Sequence, residues 1–187
     1  MVDTDEANAI VIMDADQMAR VLRRMAHEVV ERHGGDAGKL AIVGIRTRGS
    51  PLAARLVDLI EQVEGERPAV GAVDVTFYRD DFRTRAKSPE EFTELPFSVD
   101  DLNVVLVDDV FYTGRTVRAA IDAVMDFGRP KTIQLAVLID RDHRELPLKA
   151  DYVGKEVLTL TSDLIRVRVK EIDGEDRVLL IRRPETP

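Results

Sequence analysis

Uninterrupted apolar runs constrain this chain most. Leu40–Ile45 and Val104–Val107 contain no polar residue, and Ile133–Ile139 is nearly as apolar. A strand with one wet face alternates apolar and polar side chains. A run without that alternation is buried on both faces, which in practice means a parallel sheet covered by helices. Helical stretches stand between the runs, so the pattern is that of an α/β fold with a central, mainly parallel sheet.

The flanking segments support this reading. Across residues 16–32, Met18, Val21, Leu22, Met25 and Val29 form one helical stripe, with Arg20, Arg23, Arg24, His27 and Glu31 on the opposite face. Asp14 and Gln17 have capping-box spacing, and Gly34-Gly35 supplies a stop. Ser50 as N-cap and Pro51 as first residue open a second helix with Leu52, Leu56, Leu59, Ile60 and Val63 as its core stripe. Val70–Tyr78 reads as a strand. Residues 79–98 are charged and aperiodic, the length and composition of a lid or binding loop. Thr116–Phe127 is a third helix, with Val117, Ala120, Ile121 and Val124 inward, ended by Gly128 and Pro130. Leu164–Arg183 reads as two strands around an Asp173-Gly174 turn, a small antiparallel appendage and not a second domain. One domain over 1–187 is expected, with 140–187 as hood and hairpin.

Composition narrows the function classes. A hydrophobic fraction of 44% over 187 residues supports a real core. With no Cys, thiol catalysis and Cys-based zinc sites are excluded, and three His leave little for a His-rich metal site. The acidic Met1–Asp5 segment lacks a signal-like apolar region, and no run approaches the ~20 residues that span a bilayer. A cytoplasmic, non-membrane protein is expected. The net charge of −8 and the absence of Trp argue against a general nucleic-acid coater. A nucleic-acid role would need a local basic face.

The chemistry concentrates in Val104-Val-Leu-Val-Asp108-Asp109-Val110-Phe111-Tyr112-Thr113-Gly114-Arg115-Thr116. An apolar strand runs into two acids, and a Thr-Gly-Arg-Thr loop then opens a helix. Ligands of open α/β sheets bind at the carboxyl ends of strands, and free N–H groups at a helix start favour phosphate. Gly114 allows close backbone approach, Thr113 and Thr116 offer hydroxyls, and Arg115 adds charge. Asp108 and Asp109 suit ribose hydroxyls and a Mg²⁺ that screens them from a polyphosphate. The ligand so described is a sugar phosphate with a metal: a mononucleotide or phosphoribosyl pyrophosphate (PRPP).

That stretch resembles the PRPP motif of type I phosphoribosyltransferases. Val43–Gly49, Phe77–Asp81, Gly128–Pro130, Leu138–Pro147 and Ala150–Lys155 are similar to the PyrR family, bifunctional pyrimidine-operon regulators and uracil phosphoribosyltransferases. The resemblance spans roughly Ile10 to Ile181. It implies the type I phosphoribosyltransferase fold and transfer of ribose 5-phosphate from PRPP to uracil, giving UMP and pyrophosphate with Mg²⁺. Asp108 and Asp109 would hold the ribose hydroxyls directly or through Mg²⁺. Thr113–Thr116, with Val110, Phe111 and Tyr112 leading in, would cradle the 5-phosphate. Thr47, Arg48 and Gly49 would bind pyrophosphate, in a turn that often carries a non-proline cis peptide in this superfamily. Arg48 joins the two acids as a catalytic candidate. Arg79, with Arg83, Arg85 and Lys87, would close from the lid. Arg141 and the backbone near Ile165 would meet the base.

The resemblance also implies binding of pyrimidine-operon leader mRNA promoted by a uridine nucleotide (UMP or UTP), through Arg23, Arg24, His27, Arg32, Arg144, Lys149 and Lys155. The local charge is modest, net +2 over 17–32 and net +1 over 141–155. Two departures from the family pattern stand near the implied base pocket: Asp142 where Gly is usual, and the Gly154–Thr159 run. Three readings follow: an enzyme that is also an RNA attenuator, an enzyme alone, and a nucleotide sensor with vestigial catalysis. A homo-oligomer, dimer or tetramer, is expected.

Overall fold

The computed structural model describes residues 9–34, 36–75 and 93–183. The order is β1 (Ile10–Met13), α1 (Ala15–His33), β2 (Leu40–Ile45), α2 (Gly49–Glu64), β3 (Ala69–Val73), β4 (Asn103–Phe111), α3 (Arg115–Met125), β5 (Thr132–Asp140), β6 (Tyr152–Glu156), β7 (Leu164–Arg168), α4 (Lys170–Asp173) and β8 (Arg177–Ile181). The main sheet is parallel, ordered β3-β2-β4-β5-β6, as the apolar runs require. A second, antiparallel sheet β1-β8-β7 forms the hood.

Two apolar layers sandwich the main sheet. One is built from α1, α2 and the inner face of the hood, around Met18, Leu22, Leu56 and Ile60. The other lies under α3, around Val117, Ala120 and Val124. Because β2 and β4 are covered on both sides, every residue of β2 is buried, as are Val104 to Val107. Helix α1 starts as its sequence implies: Asp14 accepts the Gln17 N–H at 2.7 Å, and the Gln17 side chain accepts the Asp14 N–H at 2.9 Å. Gly34, at φ 63°, ends it.

Several local expectations change. Helix α2 begins at Gly49 with Arg48 as N-cap, so Ser50 and Pro51 lie inside its first turn, and the Ser50 Oγ is buried without a partner. The inward stripe of α2 is Leu52, Ala53, Leu56, Val57 and Ile60, while Val63 is 42% exposed. Ala53 and Val57 widen the apolar arc, and periodicity alone cannot choose which side of a wide arc faces the sheet. Strand β4 runs on through Asp108 and Asp109 to Phe111. The turn between β7 and β8 is the one-turn helix α4, closed by Gly174 at φ 80°, not a two-residue hairpin. Strand β1 is apolar throughout but only four residues long, and β6 carries few apolar residues, so neither announces itself. They form because each completes the edge of a sheet whose other strands were already expected.

Candidate active site

Strand β2 leads back to β3 on one side of the sheet, and β4 leads on to β5 and β6 on the other. The strand order therefore reverses between β2 and β4, and a crevice opens at their carboxyl ends. The Arg46–Gly49 turn and the Asp108–Thr116 segment flank it. β2 pairs with β4 only as far as Gly44–Val107, and beyond that point β4 is held by β5 alone, through Phe111–Asp140. The two acids thus sit where one neighbour has just left.

The turn after β2 presses on β4. A Cβ on Gly49 would lie 2.2 Å from the Val107 carbonyl oxygen, so only glycine lets the start of α2 reach that strand. The Arg46–Thr47 peptide is cis. Arg46 pairs with Glu94 at 2.6 Å. Arg48 makes a two-pronged contact with Asp173 of α4, through Nη2 at 2.8 Å and Nε at 3.1 Å.

The paired acids are in an unfavourable state. Asp108 is 7% exposed. Burial, and next the charge of Asp109, push its carboxyl well above the ordinary range. Burial also raises Asp109, against the pull of hydrogen bonds and of Arg48 nearby. Each carboxylate accepts the next backbone N–H, Asp108 from Asp109 and Asp109 from Val110, both at 2.9 Å. Such a pair is suited to a divalent cation, which would remove both penalties. Among the described residues no cluster of three or more His, Asp or Glu forms a metal cage. That suits Mg²⁺, which usually takes one or two carboxylates and completes its shell with water and substrate oxygens.

The phosphate loop is shaped from outside. Gly114, at φ 93°, caps α3, which starts at Arg115, one residue before the expected Thr116. The Thr113 carbonyl accepts the N–H groups of Glu145 and Leu146 at 3.0 and 3.3 Å. Arg115 pairs with Glu145 at 2.7 Å on the exposed rim. Residues 141–148 thus brace the loop from the next strand connection. Arg144 donates to the Tyr112 carbonyl at 2.7 Å, stacks 3.3 Å from the Phe111 ring centroid and pairs with Asp140.

Arg141 is buried beside this brace. It donates to the Asp163 carbonyl at 2.8 Å and to Leu160 and Thr159, and its guanidinium lies 4.2 Å from the Tyr112 ring. Burial lowers its pKa from the usual arginine value. His143 shares Thr159, with Nε2 2.8 Å from its carbonyl oxygen. Ile165 is buried in β7. Asp142 adopts φ 55°, the left-handed conformation that explains why glycine suits this position.

The basic candidates divide. Arg23, His27 and Lys149 are exposed. Arg24 bonds the carbonyls of Val153 and Gly154, Lys155 bonds the Ile12 carbonyl, and Arg32 pairs with Asp151 over the Tyr152 ring. These contacts bring α1 and β6 onto one face. Arg144 stands apart, its guanidinium committed to the brace. Arg79 and the other lid cations Arg83, Arg85 and Lys87 lie outside the described residues, as do Phe77–Asp81.

Comparison with known proteins agrees with this geometry. The family model described as "Phosphoribosyl transferase domain" matches residues 11–171. The "Bifunctional protein PyrR" of Pelotomaculum thermopropionicum is 58% identical over 175 residues, 93% of this chain and 96% of that one. The protein of the same name from Thermus thermophilus is 53% identical over 173 residues, 92% and 95% of the two chains. The chain belongs to the PyrR family of phosphoribosyltransferase-domain proteins. Solved structures share the PyrR-family fold at low identity. A Staphylococcus aureus hypoxanthine phosphoribosyltransferase matches at TM-score 0.69 and 18% identity, covering 94% of this chain and 93% of that one. The Trypanosoma cruzi enzyme matches at TM-score 0.71 and 15% identity, covering 93% and 97%.

Two features of this PyrR-family site escaped sequence reasoning. The sequence marks Asp173 only as a turn residue, and Glu145 only as one position of the Leu138–Pro147 segment. Both reach the site across more than 25 residues of chain, and no local pattern signals such a contact. Among the described residues no helix is long and apolar enough to cross a membrane.

Proposed function

We propose that this chain transfers the 5-phosphoribosyl group from PRPP to uracil, and that a uridine nucleotide bound at the same site promotes its binding to pyrimidine-operon leader mRNA. The observation that carries the catalytic half is the buried Asp108–Asp109 pair at the β2/β4 crevice, faced by the Arg46–Gly49 turn and followed by the Thr113–Thr116 loop. The near full-length similarity to bifunctional PyrR proteins points the same way.

In this reading the Thr113–Thr116 loop holds the 5-phosphate at the start of α3, where N–H groups and the helix dipole favour an anion. Asp108 and Asp109 bind the ribose hydroxyls and would hold Mg²⁺, which would supply positive charge beside pyrophosphate. The Thr47–Gly49 turn receives pyrophosphate, with Arg48 offering charged N–H donors. Arg141 and the backbone at Ile165 orient uracil against C1, and Arg79 acts from the lid. The C1–O bond to pyrophosphate breaks, the C1–N1 bond to uracil forms, and the uracil N1 proton leaves with the departing pyrophosphate or to water. No side chain is assigned as a general base, so positioning and electrostatics carry the rate.

RNA binding is assigned to the joined face of α1 and β6, with Arg23, Arg24, His27, Arg32, Lys149 and Lys155; Arg144 contributes by shaping the brace. A narrower reading, an enzyme without RNA regulation, draws support from Arg24, Arg32 and Lys155 already serving internal contacts. The protein is further proposed to be cytoplasmic and to act as a dimer or tetramer, which sedimentation would test. With uracil, PRPP and Mg²⁺, UMP is expected; its absence removes the enzyme assignment. In a gel shift, UMP is expected to increase leader-RNA retention, and no retention at low salt leaves the enzyme-only reading.

A further inference from the structure

We propose that Asp173, at the tip of the hood hairpin, is a positioning residue that holds Arg48 in the orientation pyrophosphate requires. The inference rests on reading Arg46–Gly49 as the pyrophosphate turn and asks what sets the geometry of that turn.

Arg48 and Asp173 are 125 residues apart in sequence. Both carboxylate oxygens of Asp173 are engaged, Oδ1 with Nη2 at 2.8 Å and Oδ2 with Nε at 3.1 Å. This is the two-pronged arginine–carboxylate geometry, which fixes the guanidinium plane as well as its distance. The carboxylate is anchored in turn, because Oδ2 also accepts the Val169 N–H at 2.9 Å. Asp173 therefore does not follow Arg48; it is placed by its own turn.

A second set of contacts fixes that turn against α2. Arg55 meets Asp176 at 2.7 and 3.0 Å and Glu171 at 2.6 and 2.8 Å. Arg48, the N-cap of α2, and Arg55 within the helix thus grip three carboxylates in and beside α4. The hood that carries Ile165 is pinned to the helix that starts at the pyrophosphate turn.

The side of the guanidinium in use decides between positioning and competition. Asp173 takes the Nε–Nη2 edge. The Nη1 protons and the second Nη2 proton form the other edge, and no other group among the described residues is bonded to them. A planar guanidinium held on one edge presents the other in a fixed direction. An acid that competed with pyrophosphate would occupy that open end. Asp173 leaves it available and fixes the rotamer of a long side chain before the ligand arrives.

The test uses the full chain with Asp173→Asn and Asp173→Glu, and Asp58→Asn as control. The reverse reaction, UMP plus pyrophosphate with Mg²⁺, reports KM for pyrophosphate. Asp173→Asn keeps an acceptor for Val169 but loses the charged two-pronged contact. Its KM for pyrophosphate is expected to rise about tenfold, with kcat and UMP affinity changed by less than about twofold. Asp173→Glu keeps the charge and should fall between wild type and Asp173→Asn. Asp58→Asn, which removes only an exposed ion pair of α2 with Arg67, should leave that KM unmoved. An unchanged KM in both Asp173 variants makes the contact merely structural, and a lower KM makes Asp173 a competitor; either overturns the proposal. If Asp173→Asn does not fold, Asp173→Glu decides in the same way. If the wild-type protein itself shows no turnover, the reaction assignment fails instead. Calorimetric titration of Mg²⁺-pyrophosphate into wild type and variants then tests Asp173, and equal affinities overturn its role.

Discussion

Gly49→Ala tests whether the site depends on direct contact between the start of α2 and β4. The added Cβ would stand 2.2 Å from the Val107 carbonyl oxygen and 3.4 Å from the Asp108 Cα. Real Cβ contacts essentially never fall below 3.0 Å, so the first turn of α2 must withdraw by at least 3.0 − 2.2 = 0.8 Å. The obstacle cannot yield, because it is the backbone of the central strand, paired on both edges at Val107. Overpacking of this kind costs about 1–3 kcal/mol. At about 2–4 °C per kcal/mol for a domain of this size, Tm falls by about 2–12 °C. The larger effect is on turnover, since withdrawal carries Arg48 away from the acids. A misplacement of about 1 Å is worth about 100-fold in kcat/KM. The assays are a thermal melt and UMP formation under PRPP-limited conditions. Gly34→Ala is the control: Gly34 has φ 63° but nothing within 4 Å of an added Cβ, so it should lose about 1 kcal/mol and keep full kcat/KM. Wild-type Tm and kcat/KM in Gly49→Ala would refute the close-contact argument. Equal damage to turnover from Gly34→Ala would show that general destabilisation is the cause.

Asp108→Asn removes a buried charge held beside a second acid, so in Mg²⁺-free buffer its Tm should rise, while UMP formation falls by at least about 100-fold. Arg144→Ala strips the brace from Phe111, Tyr112 and Asp140 and should cost about 2 kcal/mol, visible as a lower Tm; Arg23→Ala, on the exposed face, should leave Tm unchanged and weaken only RNA retention. The carboxyls of Asp173, Asp176 and Glu171 lie below their ordinary values, because burial, which raises them, is outweighed by the contacts with Arg48 and Arg55 together with backbone N–H bonds. Their contribution is therefore complete above the unfolded carboxyl range of about pH 4 and is lost as pH falls through the lowered native values. Asp176→Asn should accordingly lower Tm at pH 7, by no more than about 1 kcal/mol of stability for this partly exposed pair, and the difference from wild type should shrink as pH falls through the lowered native value.

Much of the site was legible in the sequence because its signals are local. An apolar strand, two acids and a Thr-Gly-Arg-Thr helix start occupy 13 consecutive residues, and consecutive residues stay together in any fold. The Arg46–Gly49 turn was marked by the family resemblance, since its residues alone fit a solvated turn equally well. The hood was partly legible: β7 alternates and β8 is a short apolar run, but β1 comes from the other end of the chain, and a four-residue edge strand has too little length to announce itself. The start of α2 was misplaced because Ser50-Pro51 is a good helix opening by local chemistry, whereas packing of Gly49 on Val107 starts the helix earlier.

By itself, the sequence determined the parallel sheet, the helices that cover it and the run of acids and helix start at the end of β4, since all three follow from hydrophobic period and from residues adjacent in the chain. Only the tertiary structure decided which charges are available. It buried Asp108 and Asp109 together, turned Arg144 inward onto Phe111, and gave Arg48 a partner 125 residues away. A side chain's charge is written in the sequence, but the desolvation and the partners that decide what that charge can do belong to the folded chain alone.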